Sequence, residues 1–372
     1  MAARDAWLRV LAAVPPGNTQ VRRLVQELGS AEALLTQPPR NLAGCGLGQE
    51  SIQRLGAPDE PLLARWHAWL TGGPDRALVP FGSPLYPPQL APLDTAPLAL
   101  WVEGARTDLL AAPQLAMVGS RNPTRSGRDT AEEFARYFST HGLVITSGLA
   151  TGIDGASHRG ALHGVAGTIA VLGSGLDIVF PRTHDKLARE IAAHGLLVSE
   201  YGPGVEPRRF HFPQRNRIIA GLALGTLVVE ATRRSGSLIT ARWALDYGRE
   251  VFAIPGSIHN ALARGCHALI RQGAKLVEEA SDVFVELAPL LGDIDIAALP
   301  PTNGAHEAAK TVDPEYEKLF QLLDFSPISL ADLVDRSGLT AAELSSMLLI
   351  LELEGFVEAL PGGRYLRLAK RN

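Results

Sequence analysis

Between residues 114 and 285, short apolar runs alternate with longer segments that have helical periodicity. The runs are apolar almost throughout, which is typical of strands buried on both faces of a parallel sheet. After the first run, Ala131, Phe134, Ala135 and Phe138 mark one face of a helix. This alternation predicts a Rossmann-like, doubly wound and mostly parallel α/β sheet. The predicted strands are 115–118, 143–146, 168–172, 196–199, 226–229 and 251–254.

Residues 1–70 predict a separate helical domain at the N-terminal end. Apolar residues recur there at helical spacing, Gly29 is the predicted end of one helix, and Ser30 is the predicted cap of the next. The glycine-rich turn at 42–48 resembles a SAM-like or helix-hairpin-helix element, whose amides can hold a DNA phosphate; a plain helical packing module is the alternative. Residues 71–113, rich in Pro and Gly, predict an arm lying on the sheet domain, which then spans 71–288.

The C-terminal part predicts a linker over 289–312 and a winged-helix domain over 313–372, with three helices followed by a strand, a glycine turn and a strand. Between Ser337 and Gly363 there is no Lys or Arg, and the predicted second helix, 341–352, carries Glu343 and Glu352. A recognition helix without cations would repel phosphate. This domain is therefore predicted to dock on protein rather than to contact DNA.

The charge of the chain is unevenly distributed. The net charge is −4, yet residues 201–250 contain eight arginines and four acids, whereas residues 313–363 contain ten acids and two basic residues. A local basic groove can bind an anion even when the whole molecule is weakly negative. The charge pattern therefore permits a nucleic-acid partner.

Several classes of protein are excluded or disfavoured. Cys45 and Cys266 are the only cysteines, too few for a disulfide framework or a zinc site, which predicts a cytoplasmic protein. No apolar stretch is long enough to cross a bilayer, so no membrane partner is expected. The first strand is followed by Gly119-Ser120-Arg121, which breaks the dinucleotide fingerprint, and no P-loop motif is present. No cofactor is expected.

Glycines and small hydroxyl residues follow four of the predicted strands. These segments include Gly119-Ser120-Arg121, Ser147-Gly148, 173–175, and 233–237 with Gly236-Ser237. Because ligands of open parallel sheets bind beyond the carboxyl ends of the strands, exposed amides at this edge are suited to a phosphate. The alternative is that these glycines only permit tight turns.

The segment 208–217 combines four arginines, two phenylalanines and an asparagine. Guanidinium groups pair with phosphates, and aromatic faces stack on unpaired bases, so this combination is typical of proteins that grip single strands. The alternative is a solvated basic helix start with one phenylalanine in the core.

Four motifs occur in order and resemble those of the DprA family, also called Smf. They are the segment 119–121, the segment 147–154 with His158, the segment 212–222, and the segment 235–242 continuing to 252–256. The chain has His184 and His267 where the family tends to have Asn.

The resemblance implies a protein, not an enzyme, that binds incoming single-stranded DNA during natural transformation, protects it and helps to load the RecA recombinase, acting as a homodimer. The resemblance implies that Arg121 contacts a phosphate and that Arg215 and Arg217 extend the basic surface. It also implies that Phe212 packs on a base or shapes the pocket, and that Asn216 hydrogen-bonds to nearby backbone or to a nucleotide. The complete predicted DNA-binding set is Gly119, Ser120, Arg121, Ser147, Gly148, Arg208, Arg209, Phe212, Arg215, Asn216, Arg217, Gly236 and Ser237.

One enzymatic alternative remains open. The segment 225–230 before a glycine-rich helix start resembles the related fold of nucleotide phosphoribohydrolases. In that interpretation Glu230 and Arg233 would lie beside a sugar-phosphate, with Asp154 as a second acid. Ala223 and Leu224 replace the first glycines of that family's signature, which weighs against it.

Overall fold

The computed structural model describes residues 3–291 and 326–368, together with 316, 319, 322 and 323. The chain divides into two compact units, residues 1–302 and residues 303–372. The predicted linker, 289–312, lies outside the described residues apart from its first three positions, which complete a helix.

Six helices form the N-terminal part of the first unit. The Asn18 side chain caps the second helix. As predicted, this helix ends at Gly29, which is in the left-handed conformation, and the Ser30 side chain caps the third helix. The helices are α1 (Ala3–Ala13), α2 (Thr19–Leu28), α3 (Ala31–Leu35), α4 (Pro39–Gly44), α5 (Gln49–Gly56) and α6 (Glu60–Thr71).

A nine-stranded sheet forms the centre of the unit, in the order β1-β2-β6-β5-β4-β3-β7-β8-β9. Strands β3 to β9 pair in parallel, as the apolar runs predict, while β1 and β2 are antiparallel. The strands are β1 (Arg76–Pro80), β2 (Ala99–Glu103), β3 (Gln114–Val118), β4 (Val144–Ser147), β5 (Thr168–Leu172), β6 (Leu196–Ser199), β7 (Gly225–Val228), β8 (Glu250–Ala253) and β9 (Lys275–Leu276).

The prediction that 71–113 only forms an arm on the sheet domain is wrong. Two segments of it, β1 and β2, are part of the sheet itself, and β2 pairs with β6 from Trp101 to Glu103. An antiparallel outer strand has one unpaired side, so it accommodates Pro80 at its end.

Helices cover both faces of the sheet and create its two cores. Alternate residues of β3 point to opposite faces, so Leu115 and Met117 join one core with α7, whereas Ala116 and Val118 join the other with α10. The helices are α7 (Arg125–Thr140), α8 (Ile153–Ala161), α9 (Asp185–His194), α10 (His211–Leu222), α11 (Ser237–Asp246), α12 (Arg264–Arg271) and α13 (Ala280–Leu291).

The strand order reverses between β3 and β7. From β3 the chain proceeds through β4, β5 and β6 in one direction, and from β7 through β8 and β9 in the other. Connections that leave in opposite directions open a crevice at the carboxyl ends of the two strands. This topological switch point is where the loops after β3 and β7 face each other.

The second unit has the predicted strand, glycine turn and strand after its helices. A capping box between Thr340 and Glu343 begins the longer helix, whose Leu349, Ile350 and Leu353 are exposed. Its elements are β10 (Ile328–Ser329), α14 (Leu330–Ser337), α15 (Ala341–Leu353), β11 (Val357–Leu360) and β12 (Arg364–Arg367). Across both units, the described residues include no helix long and apolar enough to cross a membrane.

Candidate nucleic-acid interface

Three loops meet at the topological switch point. The amide of Ser120, after β3, donates to the carbonyl oxygen of Glu230, after β7, at 2.6 Å. The amide of Ile153, which follows the β4 loop, donates to the carbonyl oxygen of Ser120 at 3.1 Å. Gly152 leaves no room for a side chain, because an added Cβ would collide with the backbone of Ser120 and Arg121. The loop that carries Arg121 is therefore fixed on both sides.

The start of α10 lies against the same loops. His211 Nδ1 lies 3.0 Å from the carbonyl oxygen of Gly173, after β5, and Asn216 Nδ2 donates to that of Gly236 at 3.4 Å. The guanidinium of Arg121 lies over the ring of Phe212, 5.8 Å from its centroid. Arg121 and the segment 208–217 therefore face one cleft.

An aromatic residue outside the predicted set belongs to this cleft. Phe180, in the loop after β5, has its ring centroid 5.4 Å from that of Phe212 and is 46 % exposed. Phe210 is also exposed, but its ring packs edge-on against His211. The sequence contained one signal for Phe180. It directly precedes Pro181 in a glycine-rich loop that follows a predicted strand.

Exposed arginines occur on the segments that meet at this edge of the sheet. Arg121 lies on the β3 loop, and Arg208 and Arg209 lie just before α10. Arg233 and Arg234, on the β7 loop, are exposed as well. Five guanidinium groups on three segments that meet at one edge of the sheet give that edge a positive potential.

The sequence predicts that Arg215 and Arg217 extend the basic surface. This prediction is wrong, because neither residue is on the surface. Both are buried, at 4 % and 8 % exposure. Arg215 Nη1 donates to the carbonyl oxygens of Gly148 and Val171, while Arg217 Nη2 pairs with both carboxylate oxygens of Glu200 at 2.6 and 2.7 Å. Through these bonds the two buried guanidinium groups stabilise the carboxyl ends of β4, β5 and β6 from the protein interior.

Several predicted polar groups are already engaged within the protein. The Ser147 hydroxyl is buried and donates to the Met117 carbonyl oxygen, and the Gly148 amide donates to Asp154 at 3.1 Å. The Ser237 hydroxyl lies 2.7 Å from that of Ser235. Gly119 packs closely on Ile153. These residues determine the shape of the cleft. Contacts with a ligand would come from the exposed side chains of the cleft.

A buried polar layer supports the β4 loop. Burial raises the pKa of Asp154, although Arg215 opposes the shift, and burial lowers the pKa of Arg215 to about 10. Burial also lowers the pKa of His158 to about 3, with a smaller contribution from His184. His158 Nδ1 lies 2.7 Å from Thr168 Oγ1 and its ring is fully buried, so the neutral imidazole is the folded-state form at neutral pH.

Acidification is expected to destabilise the protein through His158. The unfolded side chain takes up a proton below its ordinary pKa of 6.5, whereas the folded one does so only near 3, so stability is lost as the pH falls between these values. Between pH 7 and pH 5 this amounts to about 2 kcal/mol. Urea unfolding at pH 7 and pH 5 measures the free energy of unfolding at each pH. The decrease between the two should be about 2 kcal/mol smaller in His158→Asn than in the wild type. An equal decrease in both proteins would contradict the buried, neutral state of His158.

Glu230 has a structural role in this fold. Its carboxylate accepts from the Thr124 amide at 2.9 Å and from the Thr124 hydroxyl at 2.7 Å, and the same hydroxyl caps α7 by accepting from Gly127. Through these hydrogen bonds Glu230 stabilises the N-terminus of α7. This engagement weighs against a hydrolytic role for Glu230. Among the described residues no group of His, Cys, Asp and Glu could hold a metal ion.

The fold defines a Rossmann-type α/β protein whose polar and basic loops meet at the topological switch point. Residues 77–288 match the family model described as DNA recombination-mediator protein A, and residues 303–363 match the DprA winged helix domain. The chain belongs to the DprA/Smf family, which confirms the predicted family, the α/β sheet and the C-terminal winged helix.

Individual relatives agree with this assignment. Protein Smf of Escherichia coli (strain K12) is 43 % identical over 303 residues, covering 80 % of this chain and 79 % of its own length. The X-ray structure of DprA from Streptococcus pneumoniae matches with a TM-score of 0.67 at 37 % identity, covering 75 % of this chain and 95 % of that one. A Helicobacter pylori DprA structure, titled for its single-stranded DNA binding mode, matches with a TM-score of 0.51 at 28 % identity, covering 55 % and 93 %.

Proposed function

We propose that this chain binds single-stranded DNA with little dependence on sequence. The observation that carries the proposal is the stack of Arg121 over Phe212, with Phe180 beside it, at the topological switch point. Arginine supplies phosphate contacts and the rings supply stacking surfaces for unpaired bases, each worth about 1–3 kcal/mol. The similarity to DNA processing protein A of Helicobacter pylori, which has a single-stranded DNA binding mode, supports the same function for this chain.

For the wider role we propose what the family resemblance implies. The bound strand would be incoming DNA in natural transformation, and the protein would protect it and help to load RecA, as a cytoplasmic homodimer and without catalysis. Two joined clefts would raise the avidity for a long strand. RecA-dependent strand exchange on coated DNA, with and without this protein, tests the loading step.

Binding to labelled oligonucleotides across a salt series tests the proposed function. We expect a single strand to bind and its affinity to fall steeply with salt, because counterions are released from the phosphates. A duplex of the same sequence should bind far more weakly, since paired bases cannot stack on Phe212 and Phe180. Equal affinity for both forms would contradict the proposal.

The winged-helix unit is expected to contribute little to this affinity. Its longer helix, α15, carries Glu343 and Glu352 and no Lys or Arg. Deleting residues 313–372 should change single-strand affinity by less than about tenfold, or about 1.4 kcal/mol. A larger loss in fluorescence anisotropy would show that this unit holds DNA.

A nucleotide hydrolase remains the second candidate, since the related fold puts a carboxylate at this strand end. The bonds from Thr124 to Glu230 weigh against it. Incubating the pure protein with nucleoside monophosphates should release no free base; release that is lost in Glu230→Gln would support the hydrolase instead.

A further inference from the structure

A cavity of about 440 Å³ lies between the N-terminal helices and the sheet, within the first compact unit. Its walls are largely apolar and aromatic, with Leu11 from α1, Leu62 and Trp66 from α6, Trp101 from β2 and Tyr201 after β6. Ligand sites are commonly apolar cavities of this size with a few polar groups that set orientation. The DNA cleft described above does not account for this cavity.

A buried carboxylate lines the cavity. Glu200 is 7 % exposed and accepts from a single nitrogen, Nη2 of Arg217. Each carboxylate oxygen has a second lone pair, so the group can accept further hydrogen bonds. Nη1 of Arg217 is buried and has no hydrogen-bond partner within the part of the chain that the structure describes. The guanidinium adjoins Gly17, which also lines the cavity. Of the two residues, Glu200 is the one that lines the cavity, so its carboxylate offers the unused acceptors.

The cavity adjoins the segment that carries part of the proposed DNA cleft. Arg208, just before α10, and His211, its first residue, both line the cavity. The ring of Tyr201 stacks on that of His211 with centroids 4.1 Å apart, and its hydroxyl donates to Gln214 at 2.9 Å. Arg208 is exposed, so a phosphate in the cleft can pair with it while the attached base enters the cavity.

We propose that the cavity binds a guanine nucleotide, with the base among the aromatic walls and the phosphate on Arg208. Proteins read an extruded base by hydrogen bonds to its Watson–Crick edge and by stacking. Guanine presents two adjacent N–H donors, which match the Glu200 carboxylate at the cavity wall. The other three bases present no such pair of donors. Where the nucleotide is part of a bound strand, the inference rests on the proposed function.

Calorimetric titration with the four deoxynucleoside monophosphates tests the proposal directly. We expect dGMP to bind about tenfold or more tightly than dAMP, dCMP or dTMP. Ala12→Phe and Val205→Phe enlarge two side chains that line the cavity and should each weaken dGMP binding by about tenfold or more. Val165→Phe, at a residue that is 74 % exposed, is the matched control.

The controls distinguish this proposal from the proposed function. Arg121→Ala should weaken binding to oligo(dT) and leave dGMP binding unchanged, whereas Ala12→Phe should do the opposite, and thermal melts verify that each variant is folded. No saturable dGMP binding, equal binding of all four nucleotides, or undiminished binding in both filled variants would overturn the cavity site. If dGMP binds the cavity and oligo(dT) does not bind at all, the cavity site stands and the proposed DNA cleft is wrong.

Discussion

Arg121→Ala is expected to weaken the binding of single-stranded DNA of every sequence and to flatten its dependence on salt. The side chain is exposed on a loop fixed by the bonds of Ser120 and Ile153, and it lies over Phe212. Losing one phosphate contact should reduce affinity by about tenfold and the salt slope by about 0.7. Anisotropy with oligo(dT) and a mixed sequence, from low to high salt, measures both quantities.

Arg106→Ala is the matched control for this prediction. Arg106 is an exposed arginine paired with Asp108 at the opposite edge of the sheet, before β3 begins. Arg106→Ala should leave both the affinity for single-stranded DNA and its salt slope unchanged. Arg121→Lys should retain much of the salt slope because the positive charge remains. An Arg121→Ala variant with wild-type slope would show that the phosphates bind elsewhere.

Arg215→Met is expected to destabilise the fold more than any substitution of an exposed arginine. It would remove the donor to the Gly148 and Val171 carbonyl oxygens and leave the buried Asp154 with only the smaller electrostatic interaction with Arg121. Removing one partner of a buried pair typically costs about 3–5 kcal/mol. Urea unfolding of the purified variant measures this loss directly.

A second substitution tests the cause of that loss. Asp154→Asn removes the uncompensated charge, so the double variant should be less destabilised than the sum of the two single variants. Arg209→Met, at an exposed position of the same segment, should change stability little. A loss below about 1 kcal/mol in Arg215→Met would contradict the supporting role given to this residue.

Strands β3 to β8 were predictable because each is a largely apolar run in a parallel sheet, whereas β9, two exposed residues, was not. Strands β1 and β2 were not predicted either, since they lie among prolines and glycines. Their pairing depends on β6, which is far along the chain. Contacts of this kind leave no local periodicity in the sequence.

The position of the cleft was predictable, whereas the burial of its arginines was only partly so. Carboxyl ends of parallel strands meet at one edge, which brings Arg121 close to the start of α10. Within α10, Arg215 precedes Ile218, Ile219 and Leu222 at the spacing of one helical face, so periodicity itself puts Arg215 on the buried side. Arg217 has no such signal, because its burial depends on the distant Glu200.

The Thr124–Glu230 contact has a mechanical consequence for the cleft. Thr124 begins α7 next to the Arg121 loop, and Glu230 belongs to the other half of the sheet, across the reversal of strand order. If a DNA strand binds Arg121 as proposed, tension on that strand would be transmitted through the Thr124–Glu230 contact to the cap of the sixteen-residue helix α7 and to both halves of the sheet.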